Sequence, residues 1–181
     1  MLKSKMESLN NLATLLDRRY KELKTKGVRF TMIYDKLNSE LISLTHEYYY
    51  KELGLKESHP WGFDYNLGDN GGVYDDIGKG ILLNYEIIRP VDYLFAGLDE
   101  KDECKKEQYF NIGIELLSCV VHELRHAWQD EMGLLKGLKY VSAEEDYEKY
   151  RQQDVERDAR RYQSKFFTEE YVEFVLNNYK L

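Results

Sequence analysis

Apolar positions along this chain recur with a helical period over most of its length and with a strand period only in short runs. Leu2, Met6, Leu9, Ala13, Leu16, Tyr20 and Leu23 follow at steps of three and four, which puts them on one face of a helix over about residues 2–25. A stripe of this kind can serve a partner helix, but three heptads are expected to cover the protein's own core. Gly27 supplies the stop. Val28 to Tyr34 is rich in β-formers and partly alternating, and predicts a strand. A second helix is expected from Asn38 or Ser39 as N-cap, with Leu41, Leu44, Tyr48 and Lys51 along one side.

Residues 54–72 carry Gly54, His59-Pro60-Trp61-Gly62 and Gly68 to Gly72, and read as irregular. Gly72 to Asp75 and Ile81 to Tyr85 are two β-type runs joined by a glycine-bearing loop, the pattern of a hairpin, and Pro90 closes the section. From about Lys106 to Met132 the period is helical again. Leu117, Val120, Val121, Leu124 and Trp128 recur at three and four, Gly133 ends the run, and apolar residues around Leu116 to Leu124 occupy so much of the circumference that a central, buried helix is predicted. Two more helical stretches are expected, about Ala143 to Phe166 and Glu169 to Tyr179. No repeat or linker divides the chain. The expectation is one α+β domain over residues 1–181, a small, mainly antiparallel twisted sheet with helices, in which 1–70 form an N-terminal part and 72–166 carry the chemistry.

Composition narrows this picture. With 181 residues the chain is long enough for a core without disulfide staples, and 14% aromatic residues, 16 of them Tyr, argue against disorder. Cys104 and Cys119 are too few for a secreted disulfide framework, and the first residues lack the apolar run of a signal peptide, so a cytoplasmic address is expected. A net charge of −7 opposes binding to nucleic acid, and no apolar run approaches the length of a membrane span. The Tyr48-Tyr49-Tyr50 run is accordingly read as packing rather than a base-stacking platform.

The central helix carries the chemistry. His122-Glu123-Leu124-Arg125-His126 reads H-E-x-x-H, and residues four apart on a helix stand one above the other, so both imidazoles can share one metal ion. Two neutral imidazoles and a carboxylate suit Zn²⁺ with a fourth position open to water. Glu123 is turned about a quarter of the circumference away, and is placed to act on such a water as general base. The alternative is a helix whose polar residues are merely satisfied in the core, an arrangement that burial of two His and a Glu makes costly.

A third ligand must come from elsewhere. An extension of the motif with Gly at 129 and His at 132 is ruled out by Gln129 and Met132. On the next long helix Val155, Ala159, Tyr162 and Phe166 form an apolar stripe, and Glu156 sits on its shoulder, making it the first candidate. Asp154 and Asp158 are the alternatives as ligand, or as acceptors that orient a ligand His. A bland reading of Glu156 is a surface pair with Arg160. Cys119, three before His122, reads as a small core residue, and Cys104 as exposed. His46 and His59 read as surface or loop residues, with His59, Tyr147, Tyr150 and Tyr162 as weak candidates for stabilising an oxyanion.

His122 to Gln129, followed 30 residues after the second His by Glu156-Arg157-Asp158-Ala159, resembles the zincin metallopeptidases of the gluzincin type. The closest style is that of the small intracellular bacterial and phage zincins of the ImmA/IrrE group, although Arg125 stands where a small or neutral residue is common. The resemblance implies a zincin-like fold, zinc held by His122, His126 and Glu156, and Glu123 as catalytic base. It also implies that the 72–85 hairpin precedes the active-site helix and offers its outer strand to a peptide or protein substrate. The expected function is therefore zinc-dependent hydrolysis of peptide bonds. Its rivals are a non-catalytic zinc-binding interaction or regulatory module and a regulator or toxin-like factor of a mobile element that cleaves one specific protein.

Overall fold

A computed structural model of the chain describes the backbone of residues 2–28, 30–68, 70–84 and 103–179. Side chains are described from residue 11 onward within these ranges, except those of 13, 30, 31, 33–35 and 103–114. Among the described residues six helices and three strands follow in the order α1 Leu2–Thr25, α2 Phe30–Leu53, β1 Trp61–Asp64, β2 Gly72–Asp75, β3 Gly80–Asn84, α3 Glu103–Glu131, α4 Tyr147–Gln152, α5 Asp154–Gln163 and α6 Glu169–Asn178. The class is α+β. The expected Tyr85, Pro90 and Cys104 features, and the apolar stripe before Leu12, lie outside the described residues or side chains.

The first helix forms over the expected residues. It ends where Gly27, at φ 75°, lets the amide of Val28 reach the carbonyl of Leu23 (3.1 Å) while the Gly27 amide bonds to Lys24 (3.0 Å). Leu12 and Leu23 are buried in the core, with Leu15, Leu16 and Tyr20 packed beside them, so its apolar face covers this protein's own interior. The strand expected over 28–34 does not exist. Helix α2 starts at Phe30, and Asn38, expected as a cap, is buried inside it. The physical reason lies further along the chain: no Gly or Pro interrupts residues 28–53, and Leu37, Leu41, Ile42, Thr45 and Tyr49 are buried at helical spacing. A long burial stripe outweighs the β-propensity of seven residues.

The sheet is three-stranded and mixed, in the order β1-β3-β2, which corrects the expectation of a mainly antiparallel one. The hairpin pairing of β2 with β3 is antiparallel, with Tyr74 opposite Ile81. The unpredicted strand β1 runs parallel to β3, with Trp61 beside Ile81 and Phe63 beside Leu83. It lay hidden among turn formers, and the direction of a strand's partner leaves no trace in its own four residues. Ile81 and Leu83 are fully buried and face the helices.

Helix α3 is the centre of the molecule, in contact with α2, α5, β2 and β3, while α1, α2 and α6 pack on one another. Leu116, Leu117, Val120, Val121, Leu124 and Ala127 bury its apolar positions. The Tyr run packs as expected: Tyr49 is buried and Tyr48 meets the rings of Tyr49, Tyr171 and Phe174. Far from the sheet, the buried Arg19 is bonded to Glu22 (2.7 Å) and Glu40 (2.8 Å), and Tyr179 donates to Glu40 (2.6 Å), tying α1, α2 and the end of α6 together.

The single helix expected over 143–166 is two. Asp146 caps α4 by accepting from the Lys149 amide, and Gln153, with ψ 137°, leaves the helical conformation before α5 begins. The break is held by a side chain: Gln153 accepts from the Val141 amide (2.9 Å) and donates to the Val141 carbonyl (2.8 Å). Gln is a good helix former, so the pattern gives no warning of it.

Candidate metal centre

Helical spacing does for His122 and His126 what the motif demands. Their rings lie together on the side of α3 that faces α5, with Nε2 atoms 3.1 Å apart. The break at Gln153 starts α5 afresh and places Glu156 in its first turn, fully buried, with Oε2 3.4 Å from His122 Nε2 and Oε1 3.2 Å from His126 Nε2. The donor atoms of these three residues all lie within 4.8 Å of one another. A carboxylate in the first turn also meets the positive end of the helix dipole, which favours its ionised form.

The protons on the two rings can be assigned from their partners. His122 Nδ1 lies 3.0 Å from Gln163 Oε1, and His126 Nδ1 lies 2.8 Å from Gln129 Oε1. An amide oxygen only accepts, so both Nδ1 atoms carry hydrogen, and in the neutral rings both Nε2 atoms present lone pairs. Two lone pairs and a carboxylate packed this closely repel unless a cation or a ring proton lies among them. The donor set therefore fits one divalent cation, and two imidazoles with one carboxylate are the chemistry that zinc favours with a position left open.

Glu123 is buried beside the triad and points elsewhere. Burial raises its pKa above the ordinary Glu value, the nearby imidazoles pull it down, and the Glu156 charge pushes it up again. Gly72 in β2 lies directly against it: a Cβ there would stand 3.2 Å from Glu123 Cγ and 3.2 Å from the Leu82 carbonyl oxygen. The hairpin thus lies alongside the central helix. Among the described residues β2 is paired on one side only, by β3.

Beyond Glu123, the site contains a phenol the sequence did not single out. Tyr140 donates to Glu156 Oε1 (2.6 Å), and burial followed by that carboxylate raises its pKa, so it remains a hydrogen-bond donor. The ring of Tyr150 stands edge-on to Tyr140, 6.2 Å away. Tyr147 is exposed, and Tyr162 lies 5.0 Å from the Arg125 guanidinium.

The alternative ligands go elsewhere. The Asp154 side chain is 94% exposed and lies 3.7 Å from Arg157. Asp158 accepts from Arg125 (2.7 Å) and from Gln129 Nε2 (2.9 Å), so it meets His126 through an amide instead of directly. Glu156 does lie 3.4 Å from Arg160, but as a second contact of a buried group. Arg125 itself stacks 3.7 Å above the Trp128 ring. Cys119 packs against the core, and burial foremost, then the Glu123 charge, pushes its thiol up to about 12.

His59 is in a loop but not at the surface. It is 1% exposed, with Nε2 2.9 Å from Glu131, a carboxylate that also accepts from the amides of Lys56 and Glu57. His46 is half-buried and donates to the His59 carbonyl (2.6 Å). This cluster fastens the α2–β1 loop to the end of α3.

Sequence reasoning missed Gln129, Gln163 and Tyr140. Gln129 follows His126 by three, and Gln163 follows Glu156 by seven, so both sit on the faces of their motif residues, and the spacing could have found them. No periodicity points to Tyr140, which comes from irregular chain. Among the described residues no helix is long and apolar enough to cross a membrane. Comparison with family models, curated proteins and solved structures finds no match to this chain.

Proposed function

We propose that this chain is a zinc metallopeptidase of zincin type, acting on a peptide or protein substrate, with His122, His126 and Glu156 as the protein ligands and Glu123 as the general base. One observation carries the reading: three ligand atoms converge with both Nδ1 atoms turned to amide oxygens, while a second buried acid, Glu123, stands beside them without joining them. When bound, the ion would polarise the scissile carbonyl and acidify the attacking water.

The chain's own residues do the rest. Glu123, its pKa raised by burial, takes the proton of the attacking water at its carboxylate and returns it to the departing amine nitrogen. Tyr140 would donate to a carbonyl oxygen as it gains charge by turning its one phenolic hydrogen away from Glu156. Strand β2, at the edge of the sheet beside Glu123, is the strand along which an extended peptide would pair.

The test begins with zinc analysis of purified protein, expected at about one ion per chain. Glu123→Gln is nearly isosteric and cannot accept a proton, so it should keep its zinc and its fold and lose about 10²–10⁴-fold in peptide cleavage. Cleavage at the wild-type rate by this variant would transfer any activity to another site, and the non-catalytic zinc module would become the better reading.

A further inference from the structure

The two imidazoles are held by amides, and each amide is oriented by the partners on its other side. With its hydroxyl hydrogen on the Glu115 carbonyl (2.8 Å), Ser118 accepts from Nε2 of Gln163, 3.0 Å away. That leaves Gln163 Oε1 for His122 Nδ1. Nε2 of Gln129 lies 2.9 Å from both the Val155 carbonyl and Asp158 Oδ2, two groups that accept and cannot donate, so its Oε1 faces His126 Nδ1. The charge of Asp158 is matched by Arg125 at 2.7 Å, and no net charge passes along this relay to His126.

We propose that Gln163 and Gln129 are positioning residues that lock His122 and His126 as Nδ1–H tautomers, and that their neutral acceptors set the affinity of the centre for a cation below what carboxylates in the same places would give. A carboxylate acceptor makes an imidazole a stronger donor to a metal, whereas an amide aligns the ring with little added basicity. The consequence for the cation rests on the metal reading above, and the tautomer does not. The aligned but weakly basic pair leaves a bound ion more electron-poor, which favours its role as a Lewis acid over its retention.

Position 163 allows a clean test, because Ser118 can turn its hydroxyl to donate to a new carboxylate. Gln163→Glu should bind zinc about tenfold more tightly than wild type in competition with a chromogenic chelator, and Gln163→Met about tenfold or more weakly. A merely structural Gln163 would make both variants weaker or leave both unchanged, and either result overturns the proposal. Long-range ¹H–¹⁵N spectra of the metal-free wild type, at a pH where both rings are neutral, should show Nδ1–H on His122 and His126. Nε2–H on either ring overturns the assignment. If the Met variant fails to fold, Ser118→Ala releases the amide's direction, and unchanged zinc affinity and tautomer in that variant would count equally against the proposal. A wild type that takes up no zinc yet shows both Nδ1–H signals removes the metal reading and the affinity claim, and leaves the tautomer lock standing.

Discussion

Three carboxylates lie within five residues on or beside α5, and their surroundings separate them sharply. Glu156 is fully buried between two imidazoles, Asp158 is held by Arg125 and Gln129, and Asp154 stands in solvent. Glu156→Gln should therefore abolish or strongly weaken zinc uptake, Asp154→Asn should leave it within error of wild type, and Asp158→Asn should fall between them by loosening Gln129. Titration of each purified variant with zinc checks the ranking, and equal retention by the Glu156 variant would move the third ligand elsewhere. How much of this was visible in advance depends on range. The ligand pair and Glu123 were plain from five consecutive residues, because helical spacing is a local fact. Glu156 was readable from its place on the shoulder of an apolar stripe. Tyr140 was not, since its position depends on the clasp between Gln153 and Val141, which no periodicity encodes.

At the level of elements, the hairpin and the central helix constrain each other at one point of contact. Gly72 leaves room for Glu123, and a methyl group there would press on both the acid and the Leu82 carbonyl oxygen, only one of which is a movable side chain. Gly72→Ala should cost about 1–2 kcal/mol of stability by overpacking and lower cleavage more than zinc content, because the strain falls on the base and not on the ligands. Chemical denaturation and metal analysis on the same preparation separate the two effects. Elements also mark where pattern reading failed. The partial alternation of Val28 to Tyr34 runs into a 24-residue helix whose described buried positions, Leu37, Leu41, Ile42, Thr45 and Tyr49, recur at helical spacing. Strand β1 failed in the opposite direction: four residues among glycines acquire strand structure only from a neighbour about 20 positions later in the chain.

For the molecule as a whole, the cation-free and cation-bound forms should respond to pH in opposite ways. In the metal-free chain, burial disfavours the charged His126 ring, but its bond to Glu156 and the Glu123 charge outweigh this and hold its pKa above the ordinary 6.5. Burial likewise opposes ionisation of Glu156, and the bonds from His122 and His126 outweigh it, holding that carboxyl well below the ordinary 4.5. A raised folded pKa gives stability that is fully present below 6.5 and lost as pH climbs through the raised value. A lowered one gives stability present above 4.5 and lost as pH falls through the lowered value. The pair thus supports the metal-free fold best between these two limits. Zinc requires the rings unprotonated, so its stabilisation should grow as pH rises. Thermal unfolding with chelator and with excess zinc, from about pH 5 to about pH 9, should show melting temperatures that diverge with increasing pH. Parallel curves would argue that the triad holds no metal. Outside this site, Arg19→Met should cost about 1–2 kcal/mol by leaving the part-buried Glu40 with Tyr179 as its remaining donor, with zinc uptake unchanged, and calorimetry beside metal titration checks it.

The interruption at Gln153 has a bearing on transplantation. Residues 143–166 look like one helix in sequence, and a designer grafting the centre onto another scaffold would build them as one. Each residue of a continuous helix turns the next by about 100°, so removing the single extended residue rotates everything after it relative to everything before. A graft that kept α4 anchored would swing Glu156 away from the paired imidazoles, while one that kept Glu156 in place would carry Tyr140 and its loop away from the carboxylate. The portable unit is therefore the helix pair together with its bend and the Val141 backbone that the bend grips. An idealised straight version would preserve every chemical group of the centre and lose their meeting point.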